Sequence, residues 1–278
     1  MSELVKARLT LLVLLTTAVG YYLGVAGSVD YIRLAHAVFG TALAAAGAAA
    51  LNQWWEWRLD AVMQRTRARP LAAGRMSTRT GLIIGTALGC CGIIYLNVTC
   101  NRLSALLAAA TIVIYIFAYT PLKRLSTANT LVGAIPGALP PVIGWAAARG
   151  HLDAGAWSLF AILFFWQMPH FFAISWMFRA DYSRAGFRMI SGGDESGARS
   201  GSQSVLFAMF LLIVAGAPAF LEIVHSIYLA FELVLTGTFI AVAMRFLRTQ
   251  SAADARRLFL ASIIYLPLLL LSLVLTKA

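Results

Sequence analysis

The chain has 278 residues, of which 60% are hydrophobic and only 12% charged, with a mean hydropathy of +0.80. So little polar surface excludes a soluble globule and points to an all-α integral membrane protein. The net charge of +11 falls on short segments between apolar runs, not on a groove-forming domain, so a nucleic-acid partner is excluded as well.

Apolar runs long enough to cross a bilayer recur about nine times, near 9–27, 34–57, 80–97, 103–119, 131–148, 155–178, 204–223, 226–248 and 256–275. The first is not followed by a polar mature domain, so it reads as a retained helix and not a cleaved signal peptide. The whole chain, 1–278, reads as one transmembrane domain. Numbering the connections from the N-terminus, one side collects Lys6, Arg8, Arg58, Arg65, Arg67, Arg69, Arg75, Arg79, Lys123, Arg124, Arg179, Arg184, Arg188, Arg199, Arg245, Arg248, Arg256 and Arg257. The other holds Arg33, Arg102, Arg149 and Lys277. Such a bias predicts a plasma-membrane protein with its N-terminus and basic loops cytoplasmic and its C-terminus opposite.

The second run ends in the first polar constellation. Asn52, Glu56 and Asp60 are spaced every fourth residue and followed by Arg65, Thr66, Arg67, Arg69 and Pro70. Side chains at i, i+4 and i+8 share a helix face, drifting about 40° per step over roughly 12 Å. Oxygen donors on that span beside arginines suit a divalent cation bridging a diphosphate at the membrane surface. Acids at a helix end are otherwise interfacial polar residues, a reading the regular spacing disfavours.

The fourth run ends in Tyr119, Thr120, Pro121, Leu122, Lys123 and Arg124. The two cations either reach that diphosphate or serve as topology anchors. Three prolines and several glycines in 133–145 predict broken backbone that neighbouring helices bury or that lines a cavity. The glycine pair at 133 and 137 reads foremost as helix packing.

Trp166, Gln167, Met168, Pro169, His170, Phe171 and Phe172 close the sixth run, followed by Arg179, Ala180, Asp181, Tyr182 and Arg184. Pro169 predicts a kink, and His170 shares a face with Asp181 if the helix continues. His170 either binds a ligand or bonds a neighbouring helix; Asp181 is a site carboxylate or a cap. The Gly/Ser-rich segment 191–202 reads as a mobile linker, with a lid as the alternative. Cys90, Cys91 and Cys100 have no metal or redox spacing and read as packing or loop positions. Runs two and six both carry ionisable residues and feed long polar loops, a coarse echo of two halves facing one cavity.

Taken together, Asn52-xxx-Glu56-xxx-Asp60-xx-Met63-x-Arg65-Thr66-xx-Arg69-Pro70-Leu71, YTPLKR at 119–124, IPGALPP at 135–141, WQMPHF at 166–171 and DYSRAG at 181–186 resemble the UbiA-type intramembrane prenyltransferases. Within that superfamily the resemblance is to the branch that farnesylates haem. It implies a nine-helix bundle around a central cavity, in which a farnesyl group passes from farnesyl diphosphate to the vinyl group of haem b with addition of water. Haem O and diphosphate would be the products, in a membrane-lipid environment. It further implies Mg²⁺ held by Glu56, Asp60 and Asp181, with Asn52 completing the first motif. Arg65, Arg69, Lys123 and Arg124 would face the diphosphate, and Trp166, His170 and Phe171 the haem.

Another aromatic or tetrapyrrole acceptor, or a non-catalytic haem-binding or oxidase-assembly role, are the rival readings. A haem-modifying enzyme or terminal oxidase assembly factor would be the downstream partner. The chain departs from the family pattern at Ala180, at Arg58 within the first motif and at Met189-Ile190-Ser191 after the second, departures that predict a weaker hold on the metal.

Overall fold

A computed structural model describes residue 4 and residues 7–278, the side chains of 7–10 excepted. Lys6 and the side chain of Arg8, used above for topology, lie outside the described residues. In chain order the helices are α1 (Ala7–Gly24), α2 (Tyr31–Val62), α3 (Thr78–Thr99), α4 (Arg102–Val113), a π-helical turn (Ile114–Tyr119) and α5 (Thr120–Leu125). They continue as α6 (Asn129–Ala138), α7 (Pro140–Arg149), α8 (Ala154–Met177), α9 (Arg179–Arg184), α10 (Ala198–Ala215), α11 (Ala217–Phe220), α12 (Tyr228–Thr249) and α13 (Ala252–Leu275). Among the described residues eight helical segments are long and apolar enough to cross a membrane, and Leu11–Gly24 adds a shorter apolar helix. The protein is an all-helical membrane protein.

Side chains are distributed as lipid demands. Large apolar groups such as Ile83, Val98, Phe117, Val234 and Ile264 are exposed on the outside, whereas Thr17, Thr41, Gln53, Ser104, Thr236 and Ser262 are buried within. Without a hydrophobic drive between helices in lipid, close packing and interhelical hydrogen bonds hold the bundle. The α2–α3 pair illustrates the packing: a Cβ on Gly47 would lie 2.4 Å from the Gly89 backbone nitrogen, an approach that only glycine permits.

Two elements shape the interior. Helix α2 runs to Val62, five residues past the expected end at 57, so Asp60 is helical and buried. Its start is fixed by Asp30, whose carboxylate accepts from the Ile32 and Arg33 amides. The run 131–148 is divided at Leu139 into α6 and α7, with Pro136 inside the first and Pro140 and Pro141 opening the second. That division is the broken backbone expected from the prolines.

Pro169, by contrast, lies inside a continuous α8. The segment 191–202 is also more built than a linker. Buried Asp194 accepts from the amides of Gly197, Arg199 and Ser200 and from the Ser200 hydroxyl, and so starts α10 at Ala198. Cys90 and Cys91 are exposed on α3, and all three cysteines are free thiols.

Basic residues gather at both ends of the bundle in distinct ways. At one end Arg65 meets Tyr182, and the Arg188 amide donates to the Lys123 carbonyl, so the loops after α2, α5 and α8 converge. At the other, Arg149 donates to the Gly24 carbonyl, Lys277 to those of Tyr22 and Val25, and Arg33 to that of Cys100.

Candidate active site

The last three turns of α2 carry Asn52, Glu56 and Asp60 on its inner face, each no more than 3% exposed. An acid buried in a bilayer-spanning helix is costly unless paired. Both are paired. Glu56 takes the Lys123 ammonium with both oxygens at 2.9 Å and the Asn52 side-chain amide at 2.9 Å. Asp60 takes both its bonds from the Arg69 guanidinium, at 2.8 and 2.7 Å.

Arg69 reaches Asp60 because the chain folds back directly after α2. The Thr66 hydroxyl donates to the Asp60 carbonyl at 3.0 Å, the Arg67 amide to that of Met63, and the Arg69 amide to that of Thr66. Helix α5 supplies Lys123 from across the cavity, continuing a face built by Tyr115 and Tyr119. These three are again every fourth residue, so the cavity is walled by two matching helical faces, Asn52/Glu56/Asp60 and Tyr115/Tyr119/Lys123.

The π turn joins α4 to α5 at this point, with the Thr120 hydroxyl donating to the Tyr115 carbonyl at 2.7 Å. Thr120 Oγ1 in turn accepts from Asn52 Nδ2 at 3.2 Å, which ties the two faces together. The Tyr115 and Tyr119 rings stack at 5.4 Å. Lys123 Nζ lies 4.5 Å from the centre of the Tyr119 ring, so that ring already faces a cation.

The remaining wall is mostly aromatic and aliphatic, with Asn129, Thr130 and His170 as its polar members. His170, Phe171 and Ile174 come from α8, Tyr182 from α9, and Phe187 and Met189 from the segment beyond it, enclosing a cavity of about 220 Å³. That segment is held by the Asn129 side-chain amide, which donates to the carbonyls of Ser126 and Arg188 at 2.7 Å each. One end of the cavity is therefore strongly polar, with two carboxylates and three cations within it, and the rest is largely aromatic and aliphatic.

Not every residue singled out from the sequence faces this space. Asn52, Glu56, Asp60, Arg65, Arg69, Lys123, His170 and Phe171 line it. Arg124 is exposed outside, because neighbours on a helix diverge by about 100° and Lys123 takes the inward position. Trp166 lies behind the wall, stacked on His170 with ring centres 5.7 Å apart.

Asp181 is buried off the cavity and ion-paired with Arg184 on its own helix. It does not share a helix face with His170, because α8 ends at Met177 and Phe178 leaves helical geometry before α9 begins. Arg58 is exposed with its guanidinium over the Trp57 ring, so its charge is held away from Glu56 and Asp60.

The family model described as the UbiA prenyltransferase family matches residues 13–269. This chain belongs to the UbiA prenyltransferase family. A relative named protoheme IX farnesyltransferase from Solibacter usitatus is 42% identical over 276 residues, covering 96% of this chain and 94% of the relative. One of the same name from Koribacter versatilis is also 42% identical, over 279 residues, covering 96% of this chain and 90% of its own. Among solved structures, a UbiA homologue from Archaeoglobus fulgidus bound to GPP and Mg²⁺ superposes with a TM-score of 0.68 at 15% identity, covering 98% of each chain.

As a UbiA prenyltransferase, the chain offers a donor set of one kind at the polar end: two carboxylates and the Asn52 amide oxygen. Such hard oxygens suit Mg²⁺, which takes one or two carboxylates and completes its shell with substrate phosphates and water. Among the described residues no three His, Cys, Asp or Glu side chains converge as a ready-made metal cage. Two carboxylates completed by phosphate oxygens fit that arrangement.

Several lining residues of this UbiA prenyltransferase escaped the sequence reading: Tyr115, Thr130 and Phe187. For Tyr115 a signal existed, since it stands four residues before Tyr119 and eight before Lys123. Phe187 carries none, because it enters through a loop that long-range bonds position.

Proposed function

We propose that this UbiA prenyltransferase farnesylates haem b, using farnesyl diphosphate and Mg²⁺ and releasing diphosphate, with the whole chain acting as one domain. The observation that carries the proposal is the joining, in one cavity, of the Glu56–Lys123 and Asp60–Arg69 pairs to an aromatic wall. The relatives' names support the choice of prenyl donor and acceptor.

Each residue then has a task. Glu56 and Asp60, with Asn52 beside them, would hold Mg²⁺, which when bound neutralises diphosphate charge and favours its departure. Asp181 is proposed as a third metal carboxylate: it adjoins Tyr182, which lines the cavity, and to reach the metal it would have to leave Arg184, with which it is ion-paired off the cavity. With the acids so engaged, Lys123 and Arg69 are released to bind diphosphate oxygens, joined by Arg65, and stabilise the charge that grows on the leaving group. Arg124, outside the cavity, adds positive potential at its rim.

The allylic C–O bond breaks with its electron pair leaving on diphosphate. The Tyr115, Tyr119 and Phe187 ring faces stabilise the farnesyl cation while the apolar lining keeps water from it. The haem vinyl π pair forms the new C–C bond, and a water oxygen adds to the resulting cation and loses a proton, leaving a hydroxyl. Trp166 and Phe171 give the haem an aromatic surface through and beside His170. The strong bias of Lys and Arg to the site's end of the bundle supports a cytoplasmic site.

The test is turnover by purified protein in nanodiscs with haem b, farnesyl diphosphate and Mg²⁺, with products identified by mass. A haem heavier by one farnesyl group and one hydroxyl is expected. Prenylation of a quinone precursor or another tetrapyrrole in place of haem would overturn the acceptor assignment.

A further inference from the structure

His170 is a polar group of the aromatic wall, and its ring is held from three sides. Trp166 stacks on it at 5.7 Å, Phe259 lies 5.0 Å away, and Phe171 meets it edge-on at 5.8 Å. Its Nδ1 is 2.7 Å from the Ser262 hydroxyl on α13. Ser262 also binds Trp166, whose indole N–H donates to the Ser262 carbonyl at 2.9 Å. A single residue on α13 thus orients both the histidine and the ring stacked on it.

The direction of these bonds fixes the tautomer. Ser262 Oγ lies 2.6 Å from the Phe259 carbonyl, which can only accept, so the hydroxyl hydrogen points there. The oxygen is then an acceptor toward His170, and Nδ1 carries the ring proton. Nε2 is left with a lone pair. No protein donor among the described residues takes that lone pair, and the ring lines the cavity. A neutral imidazole presented in this way cannot donate to a haem propionate from Nε2, but it can ligate a metal, with the bond at the second nitrogen setting ring orientation and basicity.

We infer that His170 Nε2 is the axial ligand of the acceptor haem's iron, and that Ser262 is the positioning residue that fixes its tautomer. The inference rests on the haem-farnesylation reading. Iron ligation would fix the centre of the porphyrin and leave its edge, with the vinyl groups, free to enter the cavity toward the diphosphate.

The experiment is a titration of ferric haem b into the full-length protein in nanodiscs, followed by absorption and electron paramagnetic resonance, with farnesyl transfer measured in parallel. Wild type should show a histidine-ligated haem. His170→Gly should lose that signature and regain it, with activity, on addition of free imidazole. Ser262→Ala should weaken haem binding by about 10–100-fold, while Ser262→Thr, which keeps the hydroxyl, should stay near wild type. Haem that binds wild type without a nitrogen ligand, or a spectrum unchanged in His170→Gly, would overturn the ligation while leaving the farnesylation reading intact. Absence of both haem binding and haem product in wild type would overturn the two together.

Discussion

Breaking a buried ion pair from one side leaves a bare charge in a low-dielectric bundle, at a cost on the order of 3–5 kcal/mol, whereas removing both partners is close to neutral. Glu56 and Lys123 form such a pair, their side chains 4% and 12% exposed. Glu56→Gln and Lys123→Met should therefore each lower the unfolding midpoint in detergent, and the double variant should lie above either single one. Turnover should be lost in all three, because the site needs both groups for metal and diphosphate. Additive destabilisation in the double variant would contradict the pairing. The carboxylates were legible in the sequence because an acid every fourth residue is rare in an apolar run. Tyr115 was passed over despite its spacing to Tyr119 and Lys123, since a tyrosine in such a run ordinarily packs or reaches for an interface. Which cation meets which acid was also hidden: Arg69 is nine residues from Asp60, and only the fold-back after α2 joins them.

At the scale of elements, the site depends on close approaches between helices. A Cβ on Gly133 of α6 would lie 2.5 Å from the Tyr119 ring. Gly133→Ala should push that ring into the cavity, costing roughly 1–3 kcal/mol of stability and raising the KM for farnesyl diphosphate more than a variant on the lipid face such as Ile83→Ala. Gly133 thus packs helices, as its spacing suggested, yet what it packs is a wall of the site. The 191–202 segment was misleading because a glycine- and serine-rich composition does not reveal that one acid ties the loop. Burial pushes the Asp194 carboxyl up, but its hydrogen bonds from Ser200, Arg199 and Gly197 outweigh this and hold it below the usual carboxylate range. A depressed carboxylate contributes stability above its unfolded value of about 3.9 and loses it as pH falls through the folded value. Asp194→Ala should cost about 1–2 kcal/mol as a lost cap, with the gap to wild type constant from pH 7 to about 4 in thermal melts and narrowing below that.

For the molecule as a whole, the number of apolar helices and the gathering of their polar ends followed from hydropathy and charge, which lipid imposes along the entire chain. The division at Leu139 and the separation of α9 from α8 did not carry the same clarity, because local breaks are decided by neighbours and not by composition. Membrane orientation is testable directly: in a background with Cys90, Cys91 and Cys100 replaced, a cysteine at Arg67 should react with an impermeant thiol reagent only from the cytoplasmic side, and one at Lys277 only from the other. Reversed labelling would place the site on the far side of the membrane.

Metal binding by the α2 carboxylates, against the departing diphosphate, is what the proposed chemistry depends on most. Its most direct test is the Mg²⁺ concentration that half-saturates prenyl transfer, measured for wild type and Asp60→Asn at saturating substrates. A half-saturating concentration raised at least about tenfold in Asp60→Asn, with residual turnover recovering as Mg²⁺ is increased, is the expected result; equal Mg²⁺ dependence in the two proteins would contradict it.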